Sequence, residues 1–522
     1  MKKTVYFFLA LVATCSPRSH AQGSWELIGR SGVPAMHAAV TTERKIVIID
    51  KAEPSEITLS DGTYAWASEY DFTTNAVRPL RVLSNSFCSA GSFLGNGTLL
   101  NGGGDNRILD PMTPAQRGYQ TIRLFNPCDD EKCEFVESTG LRMSSNRWYP
   151  AMITIPDGRV LIVGGSLKGQ GAVAAQYNNP TYEFFPRQQG EQPNYELPIL
   201  RESIPNNLYP QLYIMPDGTM FVLSNKQAVL YDYIKHQTVK TLPTVPGVAR
   251  TYPLTGSSAL LPLDPEKNYK VEIVVCGGAY EMVRTVAADN TCIRIDPMAE
   301  NPQWSMEEMP NRRTMPDMVL LADGNVMIVN GAQIGFAGYS NAREPQFTPI
   351  LYEPYKPEGN RMTLLAPSDV PRVYHSVATL LPDGRVWAAG SNPHSRISPQ
   401  TEFRVDAYTP DYLRTGRPRP TIEAVPSEIT YGQEFSLTLD LGEEPAENVE
   451  LKTVLANLGF VTHSTHMSQR QTIMRNKVVS SGRRAEVKIT APENANLFPP
   501  GKHFIYVLYK GVPAVAKQVH IH

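Results

Sequence analysis

Tyr149-Pro-Ala-Met-Ile-Thr-Ile-Pro-Asp157-Gly158, continued by Arg159-Val-Leu-Ile-Val-Gly-Gly165, is a hairpin spelled out in residue types. A short apolar strand runs into Asp-Gly, a pair that tolerates the positive backbone angles of a tight turn, and a second apolar strand leaves it. The phrase recurs. One copy runs from Cys88 through Asn96-Gly97 to Gly104, and others from Tyr209 to Ser224, Arg313 to Gly331 and Tyr374 to Gly390. A copy with a longer turn spans Tyr252 to Gly278, and a degraded one spans Met36 to Asp50.

Seven units spaced roughly 45 to 60 residues apart match the period of a kelch-type propeller blade. Seven blades close a ring, which removes exposed sheet edges and leaves a central channel lined by the innermost strands. The repeat stops after Pro410, and the linker Arg414-Thr-Gly-Arg-Pro-Arg-Pro420 leads into alternating strands such as Phe435-Ser-Leu-Thr-Leu-Asp-Leu and His503-Phe-Ile-Tyr-Val-Leu-Tyr. That texture suits an immunoglobulin-like β-sandwich. The expected organisation is all-β: a signal peptide over 1–21, a seven-bladed kelch-type propeller over 22–416 and a C-terminal sandwich over 417–522.

The signal peptide is read from Lys2 and Lys3, the apolar run Val5 to Ala13 and the small-residue ending Ser19-His20-Ala21. No later stretch approaches the ~20 apolar residues of a membrane span. The expectation is a soluble, secreted protein. A formal charge of −2, only 19% charged residues and no dense basic cluster argue against nucleic acid as a partner. In an oxidising compartment Cys128 and Cys133, and Cys276 and Cys292, are close enough in sequence to pair. Cys15 leaves with the signal, so Cys88 has no partner.

Eight residues before the turn's Asp or Asn stand Cys88, Tyr149, Tyr209, Met315 and His375, with Tyr374 beside the last. Residues at one phase of a repeat occupy equivalent places, so these side chains should converge on one mouth of the channel. Two more imidazoles lie in Thr462-His463-Ser464-Thr465-His466, in a chain with 10 histidines altogether. A mixed nitrogen and oxygen donor set favours copper(II). Structural zinc would want several close-set cysteines or histidines. No strand-linked Gly-x-Gly-x-x-Gly announces a dinucleotide.

Asn85-Ser-Phe-Cys88 with Gly102-Gly-Gly104, Arg147-Trp-Tyr149-Pro, Val373-Tyr374-His375-Ser and Thr462-His463-Ser, in this order, resemble the secreted copper-radical oxidases. The likeness covers nearly all of the chain after the signal and is closer to glyoxal oxidases than to galactose oxidase. By that resemblance Cys88 is joined to Tyr149 by a thioether, making the redox-active tyrosyl radical, and Tyr374 is the axial ligand and proton acceptor of one copper ion. His375 and His463 are the imidazole ligands, Arg313 matches an arginine that holds substrate, and His466 is left behind the ligands or at the surface. The implied reaction oxidises a small aldehyde, of glyoxal or methylglyoxal type, while O2 becomes hydrogen peroxide for extracellular peroxidases. Two departures from galactose oxidase stand out: no carbohydrate-binding domain precedes the propeller, and no tryptophan between Tyr209 and Tyr280 can stack over the cross-link. The alternatives are a primary-alcohol or galactose oxidase with the same centre, and a non-catalytic kelch propeller that binds glycans or proteins.

Overall fold

A computed structural model describes residues 22–106, 115–169, 171–445, 449–480 and 482–522; the predicted signal peptide and Cys15 lie outside these residues. Among the described residues the regular secondary structure is almost wholly strand, with one four-residue α-helix, Ile199–Glu202, and short 3-10 turns. No helix among them is long and apolar enough to cross a membrane.

All seven sequence repeats form antiparallel strand pairs, from His37–Val40 with Lys45–Ile49 to Ser376–Leu380 with Val386–Gly390. Each pair supplies the first two strands of a sheet whose outer strands come from the less regular sequence that follows. The last sheet is completed from the other end of the chain, by Ser24–Arg30 pairing antiparallel with Arg404–Thr409. The strands of the pairs are buried on both faces, so they read as continuous apolar runs rather than alternating ones.

A second set of bonds joins one sheet to the next. The Tyr149 amide donates to the Cys88 carbonyl at 3.0 Å and the Tyr209 amide to the Tyr149 carbonyl at 3.1 Å; the Met315 amide likewise donates to Thr255 at 2.9 Å. To turn that N–H sideways the residue takes a left-handed backbone: φ is 55° at Cys88, 60° at Tyr149, 46° at Tyr209, 56° at Met315 and 61° at His375. These are the five positions eight residues before the turn. Side chains in this region are sparsely populated and cost free energy, so the network around them must hold them there. The glycine ending the repeat answers the same crowding: at Gly390, φ is 73° and a Cβ would lie 2.5 Å from the His375 carbonyl oxygen.

The C-terminal part forms two sheets over a shared core. One is ordered Thr421–Ala424, Glu434–Asp440, Arg484–Thr490, Asn476–Ser480, and the other is centred on Leu451–Asn457 and Gly501–Tyr509. Leu437, Leu439, Val487 and Ile489 of the first meet Ile505, Val507 and Val519 of the second. One hairpin leaves this sandwich. Phe460–Thr462 pairs with His37–Val40 of the first repeat, and its partner strand Thr465–Met467 packs against the innermost strands of neighbouring sheets. Gln469 pins it, accepting from the Leu320 amide at 2.8 Å and donating to the Met318 carbonyl at 3.1 Å. Cys128–Cys133 and Cys276–Cys292 are disulfides, and Cys88 is free and buried.

Candidate active site

The left-handed positions and the inserted hairpin bring their side chains to one buried point. The hydroxyl of Tyr149 lies 3.1 Å from that of Tyr374 and 2.9 Å from that of Tyr252, and the last two are 3.2 Å apart. Cys88 Sγ is 3.3 Å from His463 Nε2, and the ligand atoms of Cys88, His375 and His463 all fall within 4.8 Å of one another. Tyr149, Tyr374, His375 and His463 are each almost fully buried.

Each imidazole is held by one nitrogen and presents the other. His375 donates from Nδ1 to the Asn392 carbonyl at 3.0 Å, leaving Nε2 buried with no partner. Asn392 is a clamp: its amide donates to the Tyr374 carbonyl at 2.9 Å, and its side chain donates to Glu53 at 2.5 Å and accepts from Thr401 at 3.1 Å. Glu53 is itself paired with the buried Lys51 at 2.6 Å. His463 Nδ1 lies 2.6 Å from Thr462 Oγ1, which is also 2.7 Å from Nδ1 of His37. His466 points elsewhere, with Nε2 2.6 Å from the Leu458 carbonyl oxygen.

Burial sets the protonation of this cluster. It pushes the pKa values of His375 and His463 well below the usual imidazole range, so both rings are neutral. It raises Tyr149 and Tyr374 well above an ordinary phenol. A divalent cation at this point would reverse the phenol balance by supplying the charge that stabilises phenolate. The residues fit such an ion: the unpartnered Nε2 of His375, the Nε2 of His463 turned to the same point against Cys88 Sγ, two phenols and a cavity of about 10 Å3 lined by Met315, Tyr374, His375 and His463 among others. Nitrogen and phenol oxygen donors in this mixture suit copper.

Tyr252 sits where a stacked ring over Tyr149 was expected and no tryptophan could be found. Its ring is 4.3 Å from that of Tyr149 with 25° between planes, while Trp148 leans on the same ring at 4.4 Å and 44°. Counting back from the turn misses Tyr252, because it lies three residues before Thr255, the residue that takes the Met315 amide in its sheet. Tyr209 is packed at 5.2 Å from Tyr149 with its hydroxyl donating to the Ser89 carbonyl at 2.8 Å. Glu53, Asn392 and His37 carry no local signal; only the fold makes them neighbours.

Arg313 corrects the expectation that it holds substrate. Its guanidinium is fully buried and donates to Asn311 at 3.1 Å, to the Asn330 carbonyl at 2.8 Å and to the Thr348 carbonyl. Arg147, Arg250 and Arg372 cap strand carbonyls in the same manner in three other sheets. An arginine just before the innermost residue is therefore a structural part of the repeat.

Residues 36–412 match the family described as glyoxal oxidase N-terminus, and residues 419–521 match the galactose oxidase-like, early set domain. The aldehyde oxidase GLOX of Vitis pseudoreticulata is 35% identical over 533 aligned residues, covering 96% of this chain and 97% of that protein. The aldehyde oxidase GLOX1 of Arabidopsis thaliana is 32% identical, covering 97% of this chain and 85% of its own length. In three dimensions the chain is similar, at a TM-score of 0.75 and 17% identity over 96% of this chain and 99% of the other, to a fungal alcohol oxidase of the AA5 family solved in complex with copper. The matched span of most of the chain, and relatives of this identity over nearly all of it, establish that the protein belongs to the glyoxal oxidase family.

Proposed function

We propose that this chain is a secreted copper-radical oxidase that converts small aldehydes of glyoxal or methylglyoxal type to carboxylic acids. The balance is RCH(OH)2 + O2 → RCOOH + H2O2, the aldehyde reacting as its hydrate. The observation that carries the proposal is the convergence of Cys88, Tyr149, Tyr374, His375 and His463 on one buried point, from separate sheets and an inserted hairpin.

Tyr149, Tyr374, His375 and His463 would hold the ion. Copper there supplies a one-electron store beside an oxidisable phenol. Tyr374 accepts the proton of the substrate hydroxyl, and the oxidised Tyr149 takes hydrogen from the reacting carbon. Closing a bond from Cys88 Sγ to the Tyr149 ring removes one hydrogen from the thiol and one from the ring, both taken up by O2 as H2O2, and the sulfur would then donate electron density to the phenol and lower its potential. The edge-on imidazole of His463, 5.6 Å from the Tyr149 ring, and the stacked Tyr252 keep that ring in place. The seven sheets are read as blades of one propeller over 22–416, closed by the N-terminal strand, with 417–522 an immunoglobulin-like sandwich that lends one ligand. The peroxide would feed extracellular peroxidases.

The test is chemical. Copper-treated protein, digested and mapped by mass, should yield Cys88 and Tyr149 in one reductant-resistant peptide lighter by two hydrogens, and glyoxal or methylglyoxal should give more peroxide than galactose. Cys88→Ser should keep copper and lose most turnover. A freely alkylatable Cys88 after copper treatment would falsify the cross-link.

A further inference from the structure

Tyr149, Tyr252 and Tyr374 form part of the lining of a cleft of about 420 Å3. Its walls are aromatic: the Phe87 ring lies 5.5 Å from Trp148 and 5.7 Å from Tyr339, and Tyr339 in turn meets Tyr374 edge-on at 5.6 Å. Val173, Phe336 and Met282 extend the apolar surface. Met282 is 44% exposed, so its apolar side chain contributes little to the core and stands free to meet a ligand. The two charged groups of the lining, Asp105 and Arg284, are tied into the protein, Arg284 donating to Asn341 at 2.9 Å.

We infer that this cleft receives the substituent on the aldehyde carbon, and that it widens the substrate range beyond glyoxal and methylglyoxal to aldehydes whose substituent is an apolar chain, or a ring carried on a methylene, of about four to eight carbons. The inference rests on reading Tyr149 and Tyr374 as the reacting centre. Size is the first reason. A cleft of this volume is in the range that encloses ligands far larger than the four heavy atoms of glyoxal. Polarity is the second. Phe87, Trp148, Val173 and Met282 offer apolar surface that glyoxal, though small enough to react here, leaves largely uncovered. An alkyl chain gains on the same surface, by about fourfold in affinity for each methylene removed from water. The chain is a spectator: RCH(OH)2 + O2 → RCOOH + H2O2 leaves R unchanged, and straight-chain aldehydes hydrate readily enough to enter in that form.

The experiment compares glyoxal, propanal, butanal, hexanal and octanal with the copper-loaded full chain, reading peroxide and the carboxylic acid together. The expected result is a kcat/KM that climbs about three- to fourfold per methylene from propanal to hexanal, chiefly through KM. Met282→Asp should lower the ratio of hexanal to glyoxal kcat/KM by about tenfold. A second measurement needs no metal: by calorimetry on the copper-free chain, hexanamide should bind at least tenfold more tightly than acetamide. A flat or falling aldehyde series, or equal binding of the two amides, overturns the inference. Failure to oxidise any aldehyde, with the amide preference intact, overturns the proposed reaction and leaves the apolar cleft standing.

Discussion

The Tyr149 and Met315 hairpins are the same construction put to different ends. Each opens with a buried arginine, Arg147 or Arg313, that donates to carbonyls of its own sheet. Each then places one residue in left-handed backbone, at φ of 60° and 56°, and returns through Asp-Gly. Yet one side chain is a phenol 3.1 Å from the Tyr374 hydroxyl, and the other is a thioether lining the small cavity beside His375 and His463. The backbone delivers any side chain at this phase to the centre. Which of them is chemical depends on the residue and on what surrounds it.

The widest gap between the two hairpins should appear on changing those side chains. Tyr149→Phe is expected to lower turnover by at least about 1000-fold, about 4 kcal/mol on the barrier, with the copper-treated protein giving no radical absorption. Met315→Leu, a swap of similar volume, should cost less than about 1.5 kcal/mol of stability and retain turnover. Comparable losses in both variants would break the distinction.

A smaller effect should come from the clamp that serves the His375 hairpin. Glu53→Ala removes the acceptor that fixes Asn392 and leaves Lys51 buried without its partner. Copper affinity, measured against a competing chelator, should fall about 10- to 100-fold, and Glu53→Gln, which keeps an acceptor oxygen, should fall less. Unchanged affinity in the alanine variant would show that Asn392 holds His375 without help.

The smallest effect on catalysis, and the one that sharpens the shared part of the construction, concerns the arginines. Arg313→Ala strips donors from the Asn330 and Thr348 carbonyls and should cost about 2–3 kcal/mol of stability, seen as a lowered Tm. The KM for aldehyde should stay where it was. A raised KM at an unchanged Tm would restore Arg313 to the substrate.

These hairpins were legible because the turn chemistry is local. Asn96-Gly97, Asp157-Gly158 and their counterparts announce five of the reversals, and a fixed count of eight back from them finds the left-handed Cys88, Tyr149, Tyr209, Met315 and His375 but nothing in the sheet with the long connection. There the strands Ser257–Leu260 and Ile273–Cys276 are joined through a 3-10 turn at Pro265–Lys267, so the count has no anchor and Tyr252 escaped. A motif alone separates His463 from His466, because the two are only three residues apart and the fold turns one to Cys88 and the other to a carbonyl. Glu53, Asn392 and His37 could not have been found, since no spacing along the chain encodes a contact between residues 53 and 392. Arg313 was misread although the corrective signal was present, in the recurrence of arginine at Arg147, Arg250 and Arg372.

The inserted hairpin also imposes an order on assembly. Synthesis runs from the N-terminus, so every strand of the seven sheets apart from the inserted hairpin's own, the last ending at Thr409, leaves the ribosome before His463 does. A nascent chain can hold Cys88, Tyr149, Tyr374 and His375 and still lack the ring that sits 3.3 Å from the thiol. Until the sandwich has formed and its hairpin has slotted between the sheets, the proposed copper centre is one imidazole short.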